Sequence, residues 1–320
     1  MNSAKQTCIF GPIPSRRLGI SLGIDLVPYK TCTMDCIYCE CGKTTNQTTE
    51  RKEYFPTELA LKQIDEALDR HPHIDFFTFS GTGEPLLHSG IGTIIAHIKK
   101  KYPNIKVCLL TKGVPLMDPE VRRECAAVDL IVPSLDGSNE EEFQKMNRPA
   151  KGLTIRAVAD AVIEFRKISR AQMWLEIFIA EGVNDSTESA KRFLQYVREI
   201  QPDKVQLNTL DRPGTEHNVG IPAPAVMAEI ASVIGESGVP VECIGGRAAK
   251  RGESKELSTE EYNDRIIATC ASRPCTADDL AESLGFQKPN LEAHLRRMEK
   301  AGFITSEEGP RGIYYRAEKK

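Results

Sequence analysis

Long apolar runs are missing from this 320-residue chain: no stretch approaches the roughly 18 residues that a membrane-spanning helix needs. The first ten residues, Met1 to Phe10, show no basic segment followed by an apolar one, so no secretory signal is expected and the cytoplasm is the simplest location. An excess of charge of either sign is also lacking. The formal net charge is −3, which makes the whole molecule a poor electrostatic attractor for nucleic acid. Aromatic residues are sparse, with a single tryptophan, and there is no internal repeat or low-complexity tract.

Cysteine is not sparse. Ten are present, four of them between Cys32 and Cys41, while Cys8, Cys108, Cys125, Cys243, Cys270 and Cys275 are scattered. In a long chain of intracellular composition such thiols are reduced, catalytic or metal-bound rather than a disulfide framework.

From about residue 18 to 245, strand-like and helix-like segments alternate. Strands are expected over Leu18–Val27, Ile74–Ser80, Ile105–Thr111, Leu130–Ser134, Met173–Ala180 and Lys204–Thr209. Helices are expected between and after them, over Thr57–Arg70, Ile91–Lys101, Pro119–Ala126, Ala157–Lys167, Ser186–Ile200 and Pro224–Ser237. Such βα alternation indicates an α/β protein with a parallel sheet, as a partial or full barrel or an open doubly wound sheet. In barrel-like folds sites gather at the C-terminal ends of strands, where Gly81–Glu84, Lys112, Ser134, Glu181 and Asn208 fall. Near Gly245 the pattern changes. Residues 246–255 read as a linker between a core domain, 1–245, and a small domain, 256–320. Three short helical patterns and two strands joined by Gly309-Pro310-Arg311-Gly312 make the small domain a winged helix.

Cys32, Cys36 and Cys39 form a C-x₃-C-x₂-C spacing directly after an expected strand. Soft thiolates so close together suit an iron–sulfur cluster or zinc. A structural zinc site wants four ligands, and after Cys41 the next cysteine is Cys108, so zinc fails on ligand count.

This spacing resembles the hallmark of the radical S-adenosylmethionine (radical SAM) superfamily. The resemblance implies a partial (β/α)6 barrel and a 4Fe-4S cluster on Cys32, Cys36 and Cys39, with S-adenosyl-L-methionine on the open fourth iron. It further implies a one-electron donor of the flavodoxin or ferredoxin class. Ser80-Gly81-Thr82-Gly83-Glu84-Pro85 resembles the superfamily's GGEP segment, with Thr82 in place of the first glycine. Gly81, Thr82, Gly83 and Glu84 are therefore expected near the methionine amino group, and a side chain at Gly83 is expected to intrude on the methionine end. Tyr38 matches an aromatic position near the adenine. Ser134 and Asp136 match the ribose region, although Asp136-Gly137 also reads as a plain turn. Asn208, at a strand end, is a further cofactor-site candidate.

Pro14-Ser15-Arg16-Arg17-Leu18-Gly19, Met146-Asn147-Arg148-Pro149, Trp174-Leu175-Glu176, Gly182–Ser186 and Gln206–Thr209 with Arg212-Pro213 extend the match. Together they resemble the small wyosine-tRNA-synthetase-like radical SAM proteins. Arg16, Arg17, Arg148 and Arg212 could bind an anion as forks or fix loops at the barrel mouth. With Cys8 the only cysteine before Cys32, no auxiliary cluster is expected. The expected activity is reductive cleavage of S-adenosylmethionine to start radical chemistry on an unidentified substrate, either a macromolecule (tRNA or a protein, docked by the winged helix) or a small metabolite, with no membrane involvement. The alternative is a cluster-sensing regulator that binds nucleic acid through that module. From Lys255 onward 11 basic residues face 12 acidic ones, which argues against tight nonspecific DNA binding.

Overall fold

Both faces of the main sheet are covered, which is why its strands read as continuous apolar runs rather than alternating ones. The structure, a computed structural model, describes residues 7–317 except 16, 217, 245–262, 264–265, 268, 272–273 and 285–287. Along the chain come β1 (Ile9–Ser15), β2 (Gly19–Ile24), and the two-residue strands β3 (Thr31–Cys32) and β4 (Asn46–Gln47). Next are α1 (Thr57–Arg70), β5 (Phe76–Phe79), α2 (Ile91–Lys101), β6 (Lys106–Thr111) and α3 (Pro119–Cys125). Then follow β7 (Leu130–Pro133), α4 (Glu140–Asn147), α5 (Ile155–Ile168), β8 (Gln172–Phe178) and α6 (Thr187–Ile200). The core ends with β9 (Lys204–Asn208), α7 (Pro224–Gly235) and β10 (Val241–Ile244).

The sheet runs β1-β2-β5-β6-β7-β8-β9-β10, with β1 antiparallel to β2 and every other neighbour parallel. Six successive βα units thus make the expected partial barrel, and β10 adds one more parallel strand at its end. Helix starts are locally encoded. The side chains of Asn139, Thr154 and Ser186 accept from the backbone N–H groups of Glu142, Ala157 and Ser189, each cap contributing about 1 kcal/mol. On α5 the buried residues Ile155, Val158, Ala159, Val162 and Phe165 recur at three- and four-residue intervals and pack on the sheet.

Strand residues alternate between two apolar layers. Val107 and Leu109 join the large core beneath the helices, while Cys108 packs in a small inner cluster with Leu18, Leu130 and Val132. Cys108 is fully buried, as its apolar setting implies.

Besides the two-residue strands β3 and β4, three core elements went unread in the sequence. β1 carries Gly11, Pro12 and Pro14, which weaken any strand signal and are tolerated only because β1 is an edge. β10 is the opposite edge, with Glu242 and Cys243 exposed. α4 is short, with only Phe143 and Met146 as large buried apolar residues. The expected strands and helices appear within a few residues of their anticipated limits, except that the first strand is shorter, at Gly19–Ile24.

The C-terminal part has its own core, built from Ile266, Cys270, Cys275, Leu280, Leu291, Leu295, Met298, Ile304 and Tyr315. It contains β11 (Cys275–Thr276), α8 (Ala277–Leu284), α9 (Lys288–Lys300), β12 (Thr305–Gly309) and β13 (Gly312–Arg316). The three strands form an antiparallel sheet ordered β11-β13-β12, the wing of a winged helix. The anticipated linker, 246–255, and Arg16 lie outside the described residues. Among the described residues no helix is long and apolar enough to cross a membrane.

Candidate functional site

The cysteine loop leaves β2 at Asp25 and passes over the C-terminal end of the sheet. Asp25 is buried, and its carboxylate accepts from Thr82 N–H (3.3 Å) and Thr82 O–H (3.0 Å). That ties the start of the loop to the segment after β5. The two segments then meet again: Glu84 N–H donates to the Thr31 carbonyl (3.1 Å), and Lys30 N–H to the Thr82 carbonyl (3.1 Å). A Cβ on Gly83 would stand 2.0 Å from the Thr31 carbonyl oxygen and 2.8 Å from Val27. Gly83 is therefore required by the close approach of two backbones, and a side chain there would meet the cysteine loop.

Glu84 is fully buried. Its Oε1 accepts from Leu86 N–H (3.1 Å) and Thr111 O–H (2.8 Å), and its Oε2 from Lys112 N–H (2.7 Å). The carboxylate thus joins the Gly81–Pro85 segment to the end of β6. Burial raises its pKa, and these donors only partly offset that.

Asp136, just past β7, is a second hub. Its Oδ2 accepts from the Tyr38 hydroxyl, from Asn147 Nδ2 (2.8 Å) and from Lys112 Nζ (3.1 Å), and its Oδ1 from Phe178 N–H (3.0 Å). One carboxylate so holds together the cysteine loop, β6, α4 and β8. Lys112 Nζ also lies 2.6 Å from the Tyr38 hydroxyl. Burial opposes the Lys112 charge, but Asp136, Cys36 and Glu176 more than offset it and hold its pKa high. The Tyr38 ring stacks on Phe178 with centroids 3.8 Å apart and planes 8° from parallel. Burial, then Asp136, raises the Tyr38 pKa well above the usual phenol range.

Cys32, Cys36 and Cys39 are free thiols set in this frame. Burial, reinforced by the Glu84 carboxylate, pushes Cys32 up to about 12. Cys39 is shifted downward, because the Cys41 thiol donates to it and Lys30 faces it, against the effect of burial. Two nitrogen donors are aimed at these sulfurs: Lys30 Nζ at Cys39 Sγ (3.0 Å) and Asn147 Nδ2 at Cys36 Sγ (3.3 Å). Among the described residues no three His, Cys, Asp or Glu side chains converge as they would on a single ion. A cluster that gives each sulfur its own iron needs sulfurs spread more widely than one ion's shell, and thiolates are its usual ligands. Buried Thr33 Oγ1 and Asn147 Oδ1, both beside the cysteines, lack a hydrogen-bond partner. The donor set and these orphaned atoms fit a cluster and its ligand better than they fit zinc.

Ser134 stands at the end of β7, where its N–H donates to the Thr111 carbonyl (3.0 Å). Asn208 ends β9; its carbonyl accepts from Ile179 N–H (2.8 Å) and its side chain accepts from Thr209 N–H (3.0 Å). Cys41 sits beside Cys39 with its Sγ 3.7 Å from the Gly81 carbonyl. Arginines singled out from the sequence fix loops. Arg17 binds Glu176 (2.9 Å) and Gln206 (2.7 Å), and Arg148 binds Glu216 (2.6 Å). Buried Arg212 reaches Glu40 of the cysteine loop (3.3 Å) and Asp279 of α8 (3.6 Å). Lys30, Asn147 and the hub role of Asp136 were not read from the sequence. Asn147 lay within a quoted motif, but nothing in the chain order places its amide on Cys36.

The wing packs on the core through the same loop. Arg311 binds Asp211 (2.8 Å) and Asp279 (2.8 Å), and the Tyr314 hydroxyl donates to the Asp211 carbonyl. Residues 214–216 in turn lie on the cysteine loop: Glu216 N–H donates to the Ile37 carbonyl (2.9 Å) and the Thr215 hydroxyl to the Cys39 carbonyl (3.2 Å).

Comparison with known proteins places this geometry. Residues 26–194 match the family model described as the radical SAM superfamily, and residues 265–306 match that of the bacterial regulatory protein, arsR family. A UPF0026 protein of Methanocaldococcus jannaschii is 31% identical over 284 residues, covering 87% of this chain and 86% of that protein. A Brachyspira hyodysenteriae protein named GTPase Obg is 32% identical over 303 residues, 93% of this chain but only 43% of its own length. Among solved structures, a radical SAM methyltransferase from Sphaerobacter thermophilus superposes with a TM-score of 0.57 at 18% identity, covering 71% of this chain and 67% of that one. That likeness is one of fold.

Proposed function

The chain belongs to the radical SAM superfamily, alongside the UPF0026 proteins, and we propose that it starts radical chemistry on an RNA or protein substrate. In this reading Cys32, Cys36 and Cys39 hold a four-iron cluster. When bound, the cluster and S-adenosylmethionine would supply the radical chemistry, with electrons from a flavodoxin- or ferredoxin-class donor. Tyr38, the Gly81–Glu84 segment, Ser134 and Asn208 would hold the cofactor. Asp136 contributes by fixing Tyr38 and Lys112.

The observation that carries this reading is the seam between Thr31 and Gly83–Glu84. It binds the metal-ligand loop to the segment that resembles the superfamily's methionine-contacting motif, at the C-terminal ends of adjacent strands β2 and β5. The buried Glu84 and Asp136 hubs preorganise the surrounding side chains before any ligand arrives. Residues 1–245 form the catalytic domain, 246–255 the linker and 256–320 the docking module. The test is anaerobic reconstitution with iron and sulfide, reduction, and assay of 5′-deoxyadenosine. A protein that binds a cluster yet releases none of this product would remove the reading.

A second reading, a regulator that contacts nucleic acid, draws on the arsR-type match. Arg296, Arg297 and Lys300 are exposed on α9, whereas wing residue Arg311 is committed to Asp211 and Asp279. A DNA reader that spends its wing arginine internally has lost one phosphate contact, so the enzyme reading is preferred.

A further inference from the structure

Lys30 occupies an unusual position. Its backbone is left-handed, with φ 54°, a conformation that costs a non-glycine residue about 1 kcal/mol or more. The strain is held by three hydrogen bonds: its N–H donates to the Thr82 carbonyl (3.1 Å), and its own carbonyl accepts from Thr45 N–H (3.2 Å) and Asn46 N–H (3.1 Å). The residue is 2% exposed, and its Nζ lies 3.0 Å from Cys39 Sγ.

A buried ammonium costs several kcal/mol unless an anion balances it. Among the described residues no carboxylate forms an ion pair with Lys30, and its Nζ lies 3.0 Å from Cys39 Sγ. A thiolate at that place, as a cluster ligand is, would balance the charge. An ordinary surface lysine would avoid both the strain and the burial.

We propose that Lys30 is the resident counter-cation of the cluster and sets its reduction potential. This rests on the cluster assignment above. A positive charge at 3.0 Å from a ligand sulfur stabilises the reduced cluster more than the oxidised one, because reduction adds one electron, and hence one negative charge, to the same assembly. Lys30 so brings the cluster within reach of its donor. Asn147 Nδ2, at 3.3 Å from Cys36 Sγ, acts in the same direction as a neutral and therefore weaker donor.

The test is a potentiometric titration of the reconstituted full-length protein, with the reduced cluster followed by electron paramagnetic resonance and no substrate present. Lys30→Met should lower the ratio of reduced to oxidised cluster at a fixed potential at least tenfold, a shift of about 59 mV for one electron. Lys30→Gln should do the same, and Lys30→Arg should stay close to the wild type. Unchanged midpoints in the neutral variants, or an equal shift in the Arg variant, overturn the proposal. Neutral variants that hold no iron while the Arg variant loads normally also overturn it, since Lys30 then serves assembly rather than potential. A wild-type protein that loads no four-iron cluster instead defeats the functional reading, so the two failures are told apart.

Discussion

The Arg212 guanidinium lies 3.6 Å from the Asp279 carboxylate, joining the loop after β9 to α8 of the wing-bearing module. Arg212 is almost wholly buried and also faces Glu40, one residue beyond Cys39. One side chain therefore touches both the cysteine loop and the C-terminal module. Residues 211–216 thus contact both the cysteine loop and that module.

Arg212→Ala should release this connection. Removing the guanidinium leaves part-exposed Glu40 without this cation and Asp211 and Asp279 with Arg311 alone, so the cost should fall below the ~3–5 kcal/mol of a fully broken buried pair. Hydrogen exchange should show faster exchange in residues 211–216 and 263–317 while the β5–β7 amides stay protected. Unchanged exchange in both segments would show that the network carries no weight.

Asp279 gives a pH-dependent version of the same test. Burial raises its pKa, but Arg212 and Arg311 outweigh that and hold it below the usual carboxylate range. Its folded value is thus below its unfolded one, near 3.9. The stabilisation is fully present above about pH 4 and is lost as pH falls through the folded value. Asp279→Asn should lower the denaturation midpoint of the apoprotein at neutral pH, and the gap from wild type should narrow as pH falls below the unfolded value of about 3.9. A gap that persists unchanged in acid would assign the loss to packing.

Gly83→Val should prevent the cysteine loop from closing. Its Cβ would meet a backbone carbonyl at 2.0 Å, where no flexible side chain can yield. Overpacking costs about 1–3 kcal/mol even where side chains relax, so both the melting temperature and iron uptake should fall. Normal iron content with weakened S-adenosylmethionine binding would support the view that Gly83 faces the cofactor.

Alanine at Cys32, Cys36 or Cys39 removes one thiolate each and should abolish the cluster's visible absorbance and 5′-deoxyadenosine formation. Wild-type protein should carry about four irons per chain, the content of one such cluster. About eight would reveal a second cluster among the remaining cysteines.

Asp136→Asn should leave the fold intact but disorder the mouth. Tyr38, Lys112 and Asn147 all donate to Asp136 Oδ2, and an amide nitrogen in that place cannot accept. Breaking such a buried pair costs about 3–5 kcal/mol, and S-adenosylmethionine affinity, measured by calorimetry, should fall at least tenfold. Wild-type affinity would remove Asp136 from the positioning frame.

Much of this site was legible because its key signal is local. Cys32, Cys36 and Cys39 lie within eight residues, so their spacing survives any packing, and the apolar runs of β5 to β9 announce a covered parallel sheet by themselves. Edge strands β1 and β10 escaped because half-exposed or proline-bearing edges lack that apolar signal. Tertiary structure decided the rest. Asn147 reaches Cys36 across 111 positions of chain, Arg311 reaches Asp211 across 100, and Gly83 is dictated by a carbonyl more than fifty residues earlier. Residue type and spacing state what chemistry a chain can attempt. Which buried charge faces which partner is set only when separate strand ends are brought together, since Coulomb and hydrogen-bond energies depend on distance through space and not along the chain.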